Sequence, residues 1–267
     1  MFGAVVGDIV GSRFEFDNIK TKDFELFHKD CFFTDDSVLT VAVAKAVLAS
    51  KGDWETLSDM TVLSMRTLGR KYKDMGWGGM FSAWLFSDNP EPYNSFGNGA
   101  AMRVSPCAHA AGTLKEARYL SREVTRTTHN HPEGIKGAEA LTVAVYMAKS
   151  GDDLKTIEKK IGEKYYDMNF TLDEIRPGYR FDETCQKTVP QALKAFFESE
   201  GFEDAVRNAV SLGGDSDTLA AITGAVAGVY YGVPDDIARK ALGYLPPPLK
   251  KAIGDFEKNF PLPSLRS

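Results

Sequence analysis

Two short acidic clusters in this chain carry the side chains that bind hard metal ions. The first is Thr34-Asp35-Asp36 and the second is Asp215-Ser216-Asp217-Thr218, and each begins a stretch rich in alanine and valine. Each offers two carboxylates and a threonine hydroxyl, the oxygen donors that Mg²⁺, Mn²⁺ and Ca²⁺ prefer. Asp and Thr are also good N-caps, so helix capping alone explains either cluster taken singly. Two such clusters brought together would repel one another without cations, and with cations they would form a two-metal site.

The composition argues against nucleic-acid and membrane partners. The chain has 267 residues, a formal net charge of −5 and a pI of about 5.5, so no general nucleic-acid footprint is expected. No stretch approaches the ~18–20 apolar residues of a membrane span, and no basic segment precedes the apolar N-terminus as in a signal peptide. The three cysteines, Cys31, Cys107 and Cys185, show no pairing pattern, which favours reduced thiols. We expect a monomeric, cytoplasmic globular protein.

Helical periodicity dominates the chain and predicts an all-α fold. Apolar residues repeat at intervals of three and four after Asp36 and after Asp53, and Thr113-x-x-Glu116 is typical of a capping box. Further helices are predicted near 133–149, 153–166, 187–199, 202–211, 217–231, 234–243 and 247–259, with loops at 87–99 and 167–186. Alternating strand patterns are nearly absent and no linker divides the chain, so we predict one compact domain over residues 1–267.

Small residues indicate where helices come close to their neighbours. They recur every four positions, as Gly3, Gly7 and Gly11 in one segment and Ala220, Gly224 and Gly228 in another. The second segment is also nearly uncharged, which is typical of a helix buried on all sides. Such stripes let helix backbones approach, and both segments adjoin candidate functional loops.

Five motifs occur in a fixed order along the chain. They are Gly7-Asp8-x-x-Gly11-x-x-x-Glu15, Thr34-Asp35-Asp36-Ser37, Gly97-Asn98-Gly99-Ala100-Ala101-Met102-Arg103, His129-x-His131-Pro132-Glu133, and Gly213-Gly214-Asp215-Ser216-Asp217-Thr218. In this order and spacing, from about residue 3 to about residue 232, the chain resembles the ADP-ribosylglycohydrolase family. The resemblance implies an all-α orthogonal bundle with a binuclear Mg²⁺ or Mn²⁺ centre, which cleaves ADP-ribose from protein side chains or small conjugates.

The resemblance also implies a role for each motif residue. Thr34, Asp35 and Asp36 would supply one half of the metal site, and Asp215, Asp217 and Thr218 the other. Glu15 would be the acidic residue beside the metals. The loop of Ser95, Phe96, Gly97, Asn98 and Gly99 would wrap the pyrophosphate and ribose, with His129 lining the same cleft.

The chemistry of glycosidic cleavage fits these residue types. The bond at ribose C1″ breaks through an oxocarbenium-like state while water arrives on the opposite face. Two cations can orient that water and lower its pKa, and Glu15 can then accept its proton or hold it. The glycines of the 97–99 loop would leave backbone N–H groups open to a diphosphate, and Phe96 could stack on adenine or pack in the core.

Several alternatives remain open at this point. The same fold could serve a catalytically silent ADP-ribose-binding or structural protein, and the carboxylates alone would permit a two-metal phosphohydrolase acting on nucleotide diphosphates. The His129-x-His131 pair invites a zinc site, although His131 before a proline is better explained as a residue at a helix start. The leaving group is not identified: arginine, serine, O-acetyl-ADP-ribose and a nucleobase all remain. Specificity is expected in the segments 16–33, 73–95 and 167–186.

Overall fold

A computed structural model describes residues 1–262, in which the regular secondary structure is helical and no β-strand occurs. The helices are α1 Phe2–Gly11, α2 Asp35–Ser50, α3 Leu57–Lys71, α4 Gly79–Phe86, α5 Gly99–Met102, α6 Ser105–Ala110, α7 Leu114–Thr125, α8 Pro132–Ser150, α9 Leu154–Lys164, α10 Leu172–Ile175, α11 Cys185–Phe197, α12 Phe202–Ser211, α13 Ser216–Tyr230, α14 Asp235–Gly243 and α15 Pro247–Asn259. The all-α prediction is confirmed. The last five residues of the domain predicted over 1–267 lie outside the described residues. In the part that is described, none of the helices combines the length and the apolar character needed to cross a bilayer.

Helix α13 runs through the centre of the molecule. All of its residues from Ser216 to Val229 are buried, and α1, α8, α11 and α12 pack around it. A helix enclosed on every side needs no polar face, which explains why this segment is nearly uncharged. Its first turn therefore carries Asp217 and Thr218 into the interior rather than to the surface.

Helices α1 and α13 approach each other at backbone contact. A Cβ at any of the three glycines of α1 would overlap the backbone of α13. The pairs in contact are Gly3 with Gly224, Gly7 with Ala220, and Gly11 with Ser216. This order is antiparallel, so the C-terminal end of α1 lies beside the N-terminal end of α13. The glycine stripe thereby brings the first motif of the chain next to the last.

The segment 167–186 is more ordered than the loop prediction implied. It contains α10, and α11 begins at Cys185 rather than at the predicted residue 187. The short helix is held by a capping box in which Thr171 Oγ1 accepts from the Glu174 amide while the Glu174 carboxylate accepts from the Thr171 amide. The Gly, Pro and charged residues of this segment obscured the capping pattern.

The capping box predicted at Thr113 is only half formed. Thr113 Oγ1 accepts from the Glu116 amide at 3.1 Å, as expected. The Glu116 carboxylate instead accepts from the Gly112 amide and from Trp54 Nε1, both at 2.6 Å. The carboxylate therefore joins α7 to the turn before α3 instead of closing the local box.

Candidate metal centre and adjoining cleft

The two acidic clusters form the first turns of neighbouring helices and meet there. Thr34 is the N-cap of α2, where its Oγ1 accepts from the Asp36 amide at 3.2 Å. Asp215 is the N-cap residue of α13. Thr218 Oγ1 donates to Asp36 Oδ2 at 3.2 Å, which joins the clusters directly. One cleft is lined by Glu15, Asp35, Asp36, Asp215, Asp217 and Thr218, with Thr34 buried beside them.

The Asp8 carboxylate holds the first acidic cluster in place through hydrogen bonds from Thr34 and Ser37. Its Oδ2 accepts from the Thr34 amide at 3.0 Å, from the Ser37 amide at 3.1 Å and from the Ser37 hydroxyl. Its Oδ1 accepts from the Thr34 hydroxyl at 2.7 Å. The Thr34 hydroxyl thus donates its hydrogen to Asp8, and one of its oxygen lone pairs accepts from the Asp36 amide. One lone pair of Thr34 Oγ1 remains for a cation.

Glu15 reaches the same site from the turn that follows α1. Asn18 fixes this turn, because its Nδ2 donates to the Gly214 carbonyl at 2.9 Å and its Oδ1 accepts from the Gly214 amide at 2.6 Å. Gly214 has a φ of +76°, in the left-handed region that favours glycine. One carboxylate oxygen each from Glu15, Asp215 and Asp217 lie within 4.8 Å of one another.

Burial and mutual repulsion raise the pKa values of these carboxyl groups. Burial is the larger cause and neighbouring carboxylates add to it, so that the pKa values of Asp35, Asp36 and Asp217 lie well above their usual range. Burial also raises the pKa of Asp215. Burial, followed by the charge of Asp215, raises the pKa of Glu15 to about 7. The cluster therefore binds positive charge favourably, whether as protons or as metal cations.

Two carboxylate oxygens of the cluster are left without a hydrogen-bond partner. Asp36 Oδ1 and Asp217 Oδ1 are buried and accept no hydrogen bond from any residue in 1–262. A buried polar atom without a partner costs about 1–3 kcal/mol, and more when it is charged. Since the set is composed of carboxylate and hydroxyl oxygens, the residues present fit hard divalent cations such as Mg²⁺ and Mn²⁺.

The loop 95–99 closes another side of the cleft and is tied to the acidic cluster. Asn98 Nδ2 donates to Asp215 Oδ2 at 2.6 Å. The Asn98 amide donates to the Glu183 carbonyl at 2.7 Å, which joins the loop to the segment before α11. Asn98 therefore orients a predicted metal ligand, a role that its position in a glycine-rich motif did not reveal.

The loop offers fewer free amides than its glycines suggested. The Gly97 N–H donates to Ser95 Oγ at 3.1 Å, and the Asn98 N–H is used by Glu183. Gly99 is the first residue of α5, so its N–H has no acceptor within the helix. A diphosphate at this loop would therefore meet the Gly99 amide and the Ser95 hydroxyl, and further donors must come from other elements.

His129 and Phe96 occupy different positions. His129 is buried in the cleft wall, and its Nε2 lies 3.4 Å from the place a Cβ on Gly99 would take. Phe96 is 43% exposed and does not line the cleft; its ring packs on His131, with centroids 5.1 Å apart. His131 is the N-cap of α8 and accepts from the Glu133 amide at 3.1 Å, which is the helix-start role expected of it.

The cleft residues that the sequence analysis gave no role include Tyr93, Arg103, Phe181 and Glu183. Arg103 ends the glycine-rich motif, but its fully buried position could not be read from that motif. Phe181 and Glu183 lie in the segment 167–186, which was predicted to determine specificity without individual residues being named. Their contribution depends on contacts between segments far apart in the sequence.

Comparison with known proteins assigns the chain to a family. A family model described as ADP-ribosylglycohydrolase matches residues 1–258. The chain belongs to the ADP-ribosylglycohydrolase family. Among similar family members are ADP-ribosylhydrolase ARH3 of Homo sapiens, which is 25% identical over 91% of this chain and 88% of its own length, and ADP-ribosyl-[dinitrogen reductase] glycohydrolase of Rhodospirillum rubrum, which is 30% identical over 76% and 70%.

Other relatives support the same family assignment. ADP-ribosylarginine hydrolase Tri1 of Pseudomonas putida is 26% identical, covering 87% of this chain and 70% of its own. A solved structure described as an ADP-ribosylglycohydrolase-related protein complex superposes with a TM-score of 0.65 at 24% identity, covering 91% of this chain and 94% of that one. At this identity the structural likeness shows a shared ADP-ribosylglycohydrolase fold.

Proposed function

We propose that this protein is a binuclear Mg²⁺- or Mn²⁺-dependent hydrolase that cleaves the glycosidic bond at ribose C1″ of ADP-ribosylated proteins or small ADP-ribose conjugates. The observation that carries the proposal is the meeting of Glu15, Asp215 and Asp217 within 4.8 Å, beside the unpartnered buried oxygen of Asp36. Family membership supports hydrolysis of ADP-ribosyl groups. Thr34, Asp35 and Thr218 complete the proposed ligand set.

Glu15 is proposed as the group that holds the attacking water and accepts its proton. It is only half-buried, so solvent can reach it, and burial together with Asp215 raises its pKa to about 7. A base with a pKa near the working pH combines availability with proton affinity. Bound cations would supply the charge that orients ribose hydroxyls and water and lowers the water's pKa.

Charge determines the orientation proposed for the substrate. The acidic cluster disfavours phosphate and accepts neutral ribose hydroxyls, so the distal ribose is expected beside Asp36 and Asp217. The diphosphate then falls near Ser95 and the Gly99 amide, where hydrogen-bond donors face the cleft. Phe96 stays a candidate for adenine stacking, because it belongs to this loop and its ring is exposed.

Product analysis tests this function. Purified protein would be incubated with ADP-ribosylated arginine and serine peptides and with O-acetyl-ADP-ribose, each with Mg²⁺, Mn²⁺ or excess EDTA. Release of intact ADP-ribose that depends on added cation is expected. Release of AMP would instead identify a phosphohydrolase, and tight binding of ADP-ribose without turnover would identify a silent binding protein. Full turnover in excess EDTA would contradict the proposed metal centre.

We also propose that the protein is a single domain that acts as a cytoplasmic monomer. The support is that Cys31, Cys107 and Cys185 are all buried free thiols, which suits a reducing compartment. Light scattering on the purified protein gives the mass directly, and a value of twice 29.3 kDa would refute the monomer.

A further inference from the structure

A buried arginine and a threonine surround one ring nitrogen of His129. Arg103 is fully buried, and its Nη2 donates to Thr128 Oγ1 at 2.6 Å. Thr128 Oγ1 lies 2.8 Å from His129 Nδ1, and Arg103 Nη2 lies 3.4 Å from the same nitrogen. A guanidinium has donors only, so the nitrogen that faces it is stable as an acceptor. The hydrogen of the Thr128 hydroxyl is free to point at Nδ1, because Thr128 receives the arginine hydrogen on a lone pair.

We propose that Arg103 and Thr128 hold His129 in the neutral tautomer that carries its hydrogen on Nε2, so that His129 donates a hydrogen bond to the substrate's diphosphate. This inference rests on the proposed function for the identity of the ligand. Arg103 and Thr128 are both fully buried, so they act as positioning residues through His129. The ring nitrogen left to contact a ligand is then Nε2, which carries a hydrogen and therefore donates rather than accepts.

The position of Nε2 supports this role. It lies 3.5 Å and 3.4 Å from the places that a Cβ on Gly97 or Gly99 would take, so it faces the loop assigned to the diphosphate. Among residues 1–262, Nε2 makes no hydrogen bond. The Gly97 and Asn98 amides of this loop already donate to Ser95 Oγ and to the Glu183 carbonyl. A donor from His129 therefore supplies what the loop itself lacks.

The charge state of His129 is consistent with this arrangement. Burial, and then the charge of Arg103, lower the pKa of His129 well below its usual range. A neutral ring has one donor and one acceptor, so fixing the acceptor at Nδ1 also fixes the donor at Nε2. Gly134 in the first turn of α8 lets Ser95 and His129 pack against the helix, since a Cβ there would lie 2.8 Å from the Ser95 carbonyl oxygen and 3.2 Å from His129 Cβ.

The tautomer can be measured without any substrate. The protein has four histidines, so ¹H–¹⁵N correlation spectra of ¹⁵N-histidine-labelled protein contain four ring systems, and His129→Gln identifies the relevant one. At neutral pH the wild-type ring is expected as the Nε2–H tautomer. In Thr128→Val the Nδ1–H tautomer should gain population, and Thr128→Ser should restore the wild-type spectrum. A wild-type ring that is cationic or Nδ1–H overturns the proposal, even if a variant fails to fold.

Binding measurements then connect the tautomer to the ligand. ADP-ribose affinity measured by calorimetry with Mg²⁺ present should fall about tenfold in Thr128→Val, and turnover should show a raised KM with kcat largely kept. Thr128→Ser should bind as wild type, because it keeps the hydroxyl and loses only the methyl group; weakened binding in Thr128→Ser would assign the effect to the methyl group instead. Unchanged affinity in Thr128→Val overturns the proposal. If wild-type protein binds no ADP-ribose, the proposed function fails, while the spectra still decide the tautomer.

Discussion

Neutralising one carboxylate of the acidic cluster should have opposite effects on the metal-free and metal-loaded protein. Asp217→Asn keeps the shape of the side chain and removes one buried negative charge. Without divalent cations this relieves repulsion, so the free energy of unfolding should rise. With cations present the same change removes a proposed ligand, so the stabilisation that cations confer should be lost. A residue of purely structural importance would lower stability under both conditions.

The size of the effect follows from the geometry. Oxygens of Glu15, Asp215 and Asp217 lie within 4.8 Å of one another, and at an effective dielectric constant of 20 a pair of unit charges at that distance repels by about 3 kcal/mol. Protons partly neutralise the cluster, because the pKa values of these groups are raised. We therefore expect a gain of about 1–3 kcal/mol in the metal-free variant rather than the sum over pairs.

The gain should depend on pH. A carboxyl group whose pKa is higher in the folded state than in the unfolded state holds its proton more tightly when folded. Stability is then lost as pH rises from the unfolded to the folded pKa. Burial raises the pKa of Asp8 from 3.8 to about 6 and that of Glu15 from 4.5 to about 7. Metal-free wild type should lose stability between about pH 4 and 7, and Asp217→Asn should lose less.

Urea unfolding followed by circular dichroism measures both conditions. Wild type and Asp217→Asn would be compared in EDTA and in saturating Mn²⁺, where a cation at a hundred times its Kd adds about 2.7 kcal/mol to a protein that binds it only when folded. Asp153→Asn is the matched control, because Asp153 is an N-cap in α9 outside the cleft. Asn caps helices about as well as Asp, so this control should change stability by less than about 0.5 kcal/mol.

Two results would refute the reasoning. If Asp217→Asn is less stable than wild type in EDTA at pH 8, repulsion among the carboxylates does not destabilise the metal-free protein. If Mn²⁺ stabilises Asp217→Asn as much as wild type, Asp217 is not a ligand. Either outcome can be read without knowledge of the substrate.

Three further substitutions test the site from other directions. Glu15→Gln should lower turnover by about 10²–10⁴-fold while ADP-ribose binding survives in calorimetry; near-normal turnover would make Glu15 structural. Gly99→Val should raise KM, because the branched side chain would block approach to the free amide of the loop, while Mn²⁺ titrations stay as in wild type; an unchanged KM would place the diphosphate elsewhere. Gly7→Ala should cost about 1–3 kcal/mol in urea unfolding, since its Cβ would overlap the Ala220 carbonyl, whereas Gly254→Ala on the exposed side of α15, with nothing within 4 Å of the new Cβ, should stabilise by about 0.5–1 kcal/mol. Equal effects of the two alanines would remove the argument for close helix contact.

The parts of the fold that depend on local pattern were predictable from the sequence. Helices α12 and α15 have the predicted bounds of 202–211 and 247–259, and α8 lies within one residue of its predicted bounds, because amphipathic spacing and caps act over a few residues. Small residues every four positions in α1 and in α13 predicted that each helix permits close backbone approach, and the folded chain shows that the two stripes contact each other. Their meeting explains how two acidic clusters from opposite ends of the chain share one cleft.

The contacts that refine the site could not be predicted in this way. Asn18 joins the Glu15 turn to Gly214 across 196 positions, and Asn98 reaches Asp215 across 117. Neither residue type reveals its partner, because an asparagine in a loop is equally suited to a local turn. The internal use of the Asn98 amide depends in the same way on the segment at Glu183, which only the folded chain brings near.

The placement of the acidic cluster at two helix starts also has an energetic consequence. The first turns of α2 and α13 both face the cleft, so each helix contributes about half a positive charge toward the carboxylates. This partial charge and the bonds to Asp36 and Asp215 favour ionised oxygens. The effect of burial on these carboxyl groups is larger than that of the helix ends and hydrogen bonds, since the pKa values of Asp36 and Asp217 stay well above the usual range. The two helix starts thus bring the carboxyl oxygens together, and burial leaves these groups with a raised affinity for positive charge, whether it comes from protons or from metal cations.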